Sequence, residues 1–523
     1  MTTTAFVGGR ILTMAAGPEP EVVVVESSRI AAVGDRALLA AWPTATVREL
    51  DGRTLCPGFI DAHNHLSIAA LHPRWRDVSG IASIEALLEE IRRQAVAEPD
   101  APWVRVCGWN EGPTATEHQG VHPTRIDLDG LGLDRPILVA HYSLHQGVVC
   151  SHGLDRLGIG RTTRAAQGGE IMRDAVGLPT GLLVERAWGG AHEASLAAYA
   201  EPGRWGEHIV ARAHQLLSQG ITAVHDAACP PAAEAVYTGL AAAGALPISV
   251  VMMPHAAALL HNDLGPRLDG PPTGEGDEQV RVGAAKLFAD GGVSIALDVT
   301  MQGQVLRFGT TMDDMAGHLL AARRRGFRVA VHAMGNVGVQ RTIDAFVAAA
   351  SEAPDDEHRF RVEHAGIASP AQARDLAALG AVAVVQPGFV DHVGRQSGGV
   401  SFDEHAWLPF RDLAEAGVVL AASSDDPCAP FPPLWCSARG VDRTTQDGLR
   451  FEPEQAVDFE AWLRAYTSGS AFAGGQEGER GALIPGLRAD LVILEGALVP
   501  APPPRVVETW VAGVPAYVAG VPG

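Results

Sequence analysis

The chain has 523 residues, 47% of them hydrophobic and 19% charged, with 59 glycines and 35 prolines. That mixture excludes compositional disorder and supplies material for a large core. Lys and Arg number 40 against 61 Asp and Glu, a formal charge of −21, and no basic stripe offers a nucleic acid its phosphate contacts.

The start, MTTTAFVGGRILTM, has no basic segment followed by an apolar one, and no uncharged apolar run is long enough for a membrane-spanning helix. Six cysteines (Cys56, Cys107, Cys150, Cys229, Cys428 and Cys436) are scattered without CxxC spacing and read as free thiols of a reducing compartment. A soluble, cytoplasmic protein with neither nucleic-acid nor membrane partner is expected.

In chain order, residues 1–56 alternate short β-branched runs with turns, at 5–13, 21–25, 29–33 and 46–50. The C-terminus returns to that style at 489–494 and 505–518, around a proline-rich loop at 500–504. Neither piece alone has the apolar area to fold independently, so residues 1–56 plus 478–523 are expected to pair into one small β-sandwich.

Between them, apolar β-rich runs occur at 55–66, 221–227, 247–253, 280–289, 328–334, 360–365, 381–386 and 418–423. The intervening segments, such as 312–326 and 371–380, are Ala-rich with apolar residues at helical spacing. Eight strands alternating with helices predict an α/β fold, a (β/α)8 TIM barrel over residues 57–477. The rhythm breaks once, at an insertion of about 67–219 after the first barrel strand. It holds an amphipathic helix (Ile84, Leu87, Leu88, Ile91, Ala95) after the N-cap Ser83. An insertion there sits at the catalytic mouth and is expected to form a lid or pocket wall.

The most informative segment is PGFIDAHNHL, with His63 and His65. Histidines at i and i+2 on a strand share a face, and neutral imidazoles side by side suit Zn²⁺ or a similar metal. Other ligand types fall at other strand ends: His332 in RVAVHAMG, His364 in FRVEHAG and Asp425 in LAASSDDP. Lys286, in VGAAKLFAD, lies among apolar neighbours where a bare ammonium is costly. Singly, each has a blander reading: His332 as a core or capping residue, His364 as an ion pair with Glu363, Asp425 or Asp426 as a helix cap, Lys286 paired to Asp290. Jointly, at barrel strand ends that face one mouth, they point to a metal site.

The order HxH, Lys, His, His, Asp on strands one, four, five, six and eight resembles the binuclear pattern of the amidohydrolase superfamily. GITAVHDA, KLFADGG, VAVHAMGN, RVEHAG, VVQPGF, AASSDDP, LRAYTSGSA and GALIPGLRADLVIL resemble its amidohydrolase-3 branch, the YtcJ-like and N-substituted formamide deformylase-like group. The resemblance spans residues 5–518. It implies that His63 and His65 bind the more buried metal and that His332 and His364 bind the second. It also implies that a carboxylated Lys286 bridges the two ions, and that Asp425 completes the first site as general acid/base. One or two divalent ions are expected, two being favoured, with Zn²⁺ preferred on His-rich ligation. A metal-bound hydroxide would then attack an amide carbonyl. Two positions depart from the branch's usual text, Asn336 after His332 and Cys150 in SLHQGVVCSHGL.

The function expected is metal-dependent hydrolysis of a non-peptide C–N bond, an N-acyl or N-formyl amide of a small molecule. Trp109 and Asn110 in GWNEGP, His145 and Trp407 are the substrate-pocket candidates, and the assembly expected beyond the monomer is a homodimer. Two alternatives stand beside it. An aminohydrolase or cyclic-amide hydrolase acting on a heterocycle would typically lack the bridging lysine and carry Glu shortly after the fifth-strand His. A non-catalytic barrel scaffold should have lost ligands, yet all six are present.

Overall fold

The computed structural model describes residues 3–81, 83–110, 122–354 and 357–521. Eight strands run through the middle of the chain: β1 (Phe59–Asn64), β2 (Ile221–Cys229), β3 (Ser249–Pro254), β4 (Ala285–Phe288), β5 (Val329–Ala333), β6 (Arg361–His364), β7 (Val382–Val385) and β8 (Val419–Ala422). β1, β2 and β3 form one parallel ladder and β4 through β8 another. Past β8, the Asp425 N–H donates to the His63 carbonyl at 2.8 Å, tying the last strand to the first. This is a TIM-barrel-type α/β fold.

Helices cover these strands on the outer side, so a strand is buried on both faces and reads as a continuous apolar run. In β5, Val329, Val331 and Ala333 pack in the large cluster with the helix residues Leu319, Ile343 and Phe346. Ala330, pointing the other way, joins Ala227, Met253 and Ala284. The helical segments expected at 312–326 and 371–380 form helices Met315–Arg324 and Pro370–Ala378, the latter capped by Ser369 with its side chain accepting from Gln372 N–H.

Two expected strands are each split. The run 55–66 divides at Gly58: Thr54–Pro57 pairs antiparallel with Leu491–Glu495, and only Phe59–Asn64 enters the parallel ladder. The run 280–289 divides into Val280–Val282, paired with β3, and β4 itself. Apolar continuity cannot show where a chain leaves one sheet for another.

The terminal segments meet in the structure. Arg10–Ile11, Thr54–Pro57, Leu491–Glu495, Arg505–Val511 and Val514–Val518 form one five-stranded sheet, and four N-terminal strands form another. Phe6, Val23 and Val25 of the second sheet share a core with Leu55, Leu491, Ile493 and Trp510 of the first.

The insertion builds a six-stranded sheet containing Val104–Trp109, Ile137–His141 and Pro179–Glu185. Helix Ile84–Ala97 packs on it through Leu87, Ile91 and Ala95, and the Ser83 hydroxyl accepts from Ala86 N–H as its cap. Among the described residues no helix is long and apolar enough to cross a membrane. All six cysteines are free, and only Cys428 is partly exposed.

Candidate metal centre

Six side chains converge where the parallel strands end. His63 lies in β1 and His65 just beyond it, capping the short helix Leu66–Ala69. Asp425 follows β8, and its Oδ1 stands 3.3 Å from His63 Nε2 and 3.1 Å from His65 Nε2. One donor atom from each of the three lies within 4.8 Å of the others. The His364 ring centroid is 4.8 Å from that of His63 and 4.6 Å from that of His332. All six residues, with Lys286 of β4, are buried.

Local backbone conformation makes this convergence possible. His364, Ala365 and Asp425 hold φ of 73°, 47° and 63°, a left-handed region that non-glycine residues enter at a cost. At His364 the departure breaks the alternation of β6, so the consecutive Glu363 and His364 both serve the same site.

His63, His65 and His364 are each aimed by a hydrogen bond at Nδ1. Glu363 Oε2 takes the His63 Nδ1–H at 2.6 Å, while Arg361 Nε donates to Glu363 Oε1 at 2.9 Å. His65 Nδ1–H donates to the Ala227 carbonyl at 2.7 Å, and His364 Nδ1 meets Gln386 Oε1 at 2.9 Å. With the Nδ1 positions occupied, Nε2 is the nitrogen left to bind. His332 Nε2 and Lys286 Nζ are buried without a hydrogen-bond partner among the described residues. Buried polar atoms in that state call for a ligand.

The electrostatics prepare the donors for a cation. Burial, aided by Lys286, pushes His63 down to about 4, and burial with His63 nearby pushes His364 to about 3. Burial drives His332 well below the ordinary histidine value and lowers Lys286 to about 8. Burial would raise Asp425, but the hydrogen bond from His65 and the charges of His63 and His364 outweigh it and hold the carboxyl well below its usual range. His63, His332 and His364 are thus held neutral beside an ionised carboxylate, the form that binds metal; at His65 burial is outweighed by the hydrogen bond to Asp425, which holds that imidazole above its ordinary value.

These groups open into a cavity of about 710 Å³, mouth included, whose other walls include Leu144, Leu260, Phe288, Met334, Phe389 and Val393. The structure thus brings together the six side chains that the sequence offers as candidate ligands and places His145 beside them, its ring centroid 5.1 Å from that of His332. Asn110 lines a neighbouring cleft that shares Tyr142 and His392 with the first.

The two tryptophans lie elsewhere. Trp109 packs in the insertion's own core with Leu87, Val106 and Leu128, at the end of a strand whose apolar side faces that core. Trp407 pairs with Ile367 in a short ladder, between Phe402 and Phe451. Neither lines the cavity. Asp290 does not pair with Lys286; its carboxylate accepts the N–H groups of Ala296, Met334 and Gly335. Asp426 is held by Arg212, with Nη2 at 2.5 Å. Asn336 bonds both the N–H and the carbonyl of Asp298, and Cys150 is buried in the insertion.

Pattern reading missed Glu363 and Gln386 as orienting groups and Glu185 as the partner of His145. Glu363 carried a signal in retrospect, a carboxylate inside an otherwise apolar barrel strand; Gln386 and Glu185 carried none without the fold.

The Amidohydrolase family model matches residues 46–517. The chain is 33% identical over 495 residues to the N-substituted formamide deformylase of Arthrobacter pascens, covering 91% of this chain and 90% of that one. It is 28% identical over 520 residues to YtcJ of Bacillus subtilis (strain 168), covering 94% and 93%. An uncharacterized metal-dependent hydrolase of Pyrococcus horikoshii OT3 superposes with a TM-score of 0.72 at 21% identity, over 95% of this chain and 98% of that one. With this match across nearly its whole length, the chain belongs to the Amidohydrolase family.

Proposed function

We propose that the chain hydrolyses a non-peptide C–N bond, an N-acyl or N-formyl amide of a small molecule, with the help of divalent metal. The observation that carries this reading is the convergence of His63, His65 and Asp425 donor atoms within 4.8 Å of one another at the floor of an apolar cavity. The 33% identity to a deformylase of N-substituted formamides supports the bond type.

Zinc suits the donor set, four imidazoles and a carboxylate. His63, His65 and Asp425 would hold one ion, and His332 and His364 a second. Lys286 would bridge the two as a carbamate, formed when its Nζ adds to CO2 and loses a proton. The unpartnered, buried Nζ is what supports that modification. Bound divalent metal lowers the pKa of water toward neutrality and polarises a carbonyl. The Asp425 carboxylate accepts the proton of the attacking water and delivers it to the leaving nitrogen. Leu144, Leu260, Phe288, Phe389 and Val393 exclude bulk water from the reacting groups and favour apolar substituents.

In the same reading the eight strands close as a barrel, residues 57–477, with the insertion of about 67–219 walling its mouth. Residues 1–56 and 478–523 make a composite β-sandwich. The Asp425–His63 backbone bond and the shared core of the terminal sheets support this division.

The test is formate release from N-butylformamide by zinc-loaded protein and by His332→Ala. Turnover should vanish in the variant while its far-UV circular dichroism stays unchanged. Full activity in a folded His332→Ala protein would overturn the assignment.

A further inference from the structure

His145 and Glu185 come from the insertion yet sit against the loop that follows the strand carrying Lys286. Glu185 Oε2 lies 2.6 Å from His145 Nδ1. Its other oxygen, Oε1, accepts the N–H groups of Val293 and Ser294, both at 2.9 Å. A carboxylate anchored by two backbone donors can offer His145 only an acceptor, so the shared proton belongs on Nδ1.

The contact is built on both sides. A Cβ on Gly291 would stand 2.3 Å from Glu185 Oε1, and one on Gly292 would stand 2.6 Å from His145 Nε2 and Cδ2. Only glycine at both positions lets the loop after β4 approach the pair this closely. Glu185 itself holds φ 51° and ψ −126° at the start of helix Arg186–Ala197. Strain of that kind at a non-glycine residue gathers at functional sites. The His145 ring lines the cavity beside His332, and its Nε2 bonds no described residue.

Resting on the hydrolase reading, we infer that Glu185 is a positioning residue: it fixes His145 in the Nδ1–H tautomer, so that Nε2 presents a lone pair to the N–H of the substrate amide. The substrate class follows. The site takes amides that keep an N–H, primary or N-monosubstituted, and rejects N,N-disubstituted ones, which have no proton to give and leave Nε2 unpaired. Gly292 N–H also lies 2.9 Å from Nδ1; were it the true partner, Nδ1 would be an acceptor, Nε2 would carry the proton toward the carbonyl that both kinds of amide have, and the preference would disappear.

Two measurements on the full-length, zinc-loaded protein test this. The first is ¹⁵N spectroscopy of protein labelled at histidine, with the His145 signal assigned by its loss in His145→Gln. The wild type should show Nδ1 protonated and Nε2 bare, and Glu185→Gln, whose amide oxygen stays with the Val293 and Ser294 N–H groups and turns its N–H₂ toward Nδ1, should abolish that state. A protonated Nε2 in the wild type overturns the proposal. The second compares kcat/KM for N-butylformamide and N-butyl-N-methylformamide. The wild type should favour the first by about tenfold or more, and Glu185→Gln should erase most of that preference at unchanged zinc content. Equal kcat/KM for the two compounds in the wild type overturns the proposal. Turnover of neither compound would instead refute the hydrolase reading, while the spectroscopic arm still decides whether Glu185 sets the His145 tautomer.

Discussion

Replacing Glu363 by Gln removes one charge from the interior with almost no change of shape. The carboxylate is fully buried and accepts from His63 Nδ1 at 2.6 Å and from Arg361 at 2.9 and 3.2 Å. An amide has one oxygen to offer, and Arg361 Nε–H, at 2.9 Å from Oε1, can only donate, whereas His63 beside Oε2 can move its proton to its other nitrogen. The oxygen should therefore turn to the guanidinium, and the N–H₂ should face His63. His63 then has to accept at Nδ1 and carry its proton on Nε2, the nitrogen aimed at Asp425. A ligand held in the wrong tautomer loses about 10- to 100-fold in metal affinity, or about 1.4 to 2.7 kcal/mol. Arg361 keeps its bonds to the Ala62 carbonyl and His225 but loses its counter-charge, which costs stability on the order of 3 kcal/mol. Zinc affinity measured by competition with a chromophoric chelator at neutral pH reads the first effect directly. An affinity for Glu363→Gln within about twofold of the wild type would refute the claim that this hydrogen bond sets the ligand tautomer.

Two further predictions follow from buried groups. Lys286→Ala should bind about one zinc where the wild type binds about two, and bicarbonate should no longer raise its activity; an unchanged metal count would remove the bridging carbamate. His225 is pushed down to about 3 from 6.5 by burial and by Arg361. Its neutral form is the folded one, so the unfolded chain binds the extra proton and the contribution of His225 is lost as pH falls from 6.5 toward 3. The stability advantage of wild type over His225→Gln in urea should shrink by about 2 kcal/mol between pH 7.5 and 5. An advantage that stays level with pH would show that His225 takes up its proton in the folded protein as readily as in the unfolded chain.

Much of the site was legible because strand geometry is regular. His63 and His65, two apart, and Lys286, flanked by apolar neighbours, could be assigned to a common mouth from period and position alone. The same regularity hid Glu363. Its place next to His364 suggested a simple ion pair, and only the left-handed turn at His364 lets neighbours on one strand reach the same cluster of side chains. Glu185 was hidden for another reason. It meets His145 40 residues away and Gly291 across the boundary between insertion and barrel, a contact no local pattern encodes. Trp109, offered as a pocket candidate from GWNEGP, packs in the insertion's own core, a placement that the linear sequence does not encode. Substrate-facing residues come from loops whose placement depends on the finished fold.

Elemental analysis of protein purified without chelators decides whether the side chains around His63 and His65 form a metal centre. About two equivalents of zinc or a similar transition metal per chain are expected, lost in a folded His63→Ala, His65→Ala double variant. A wild-type protein that holds no metal, and takes up none when supplied with zinc and bicarbonate, would contradict a metal centre there.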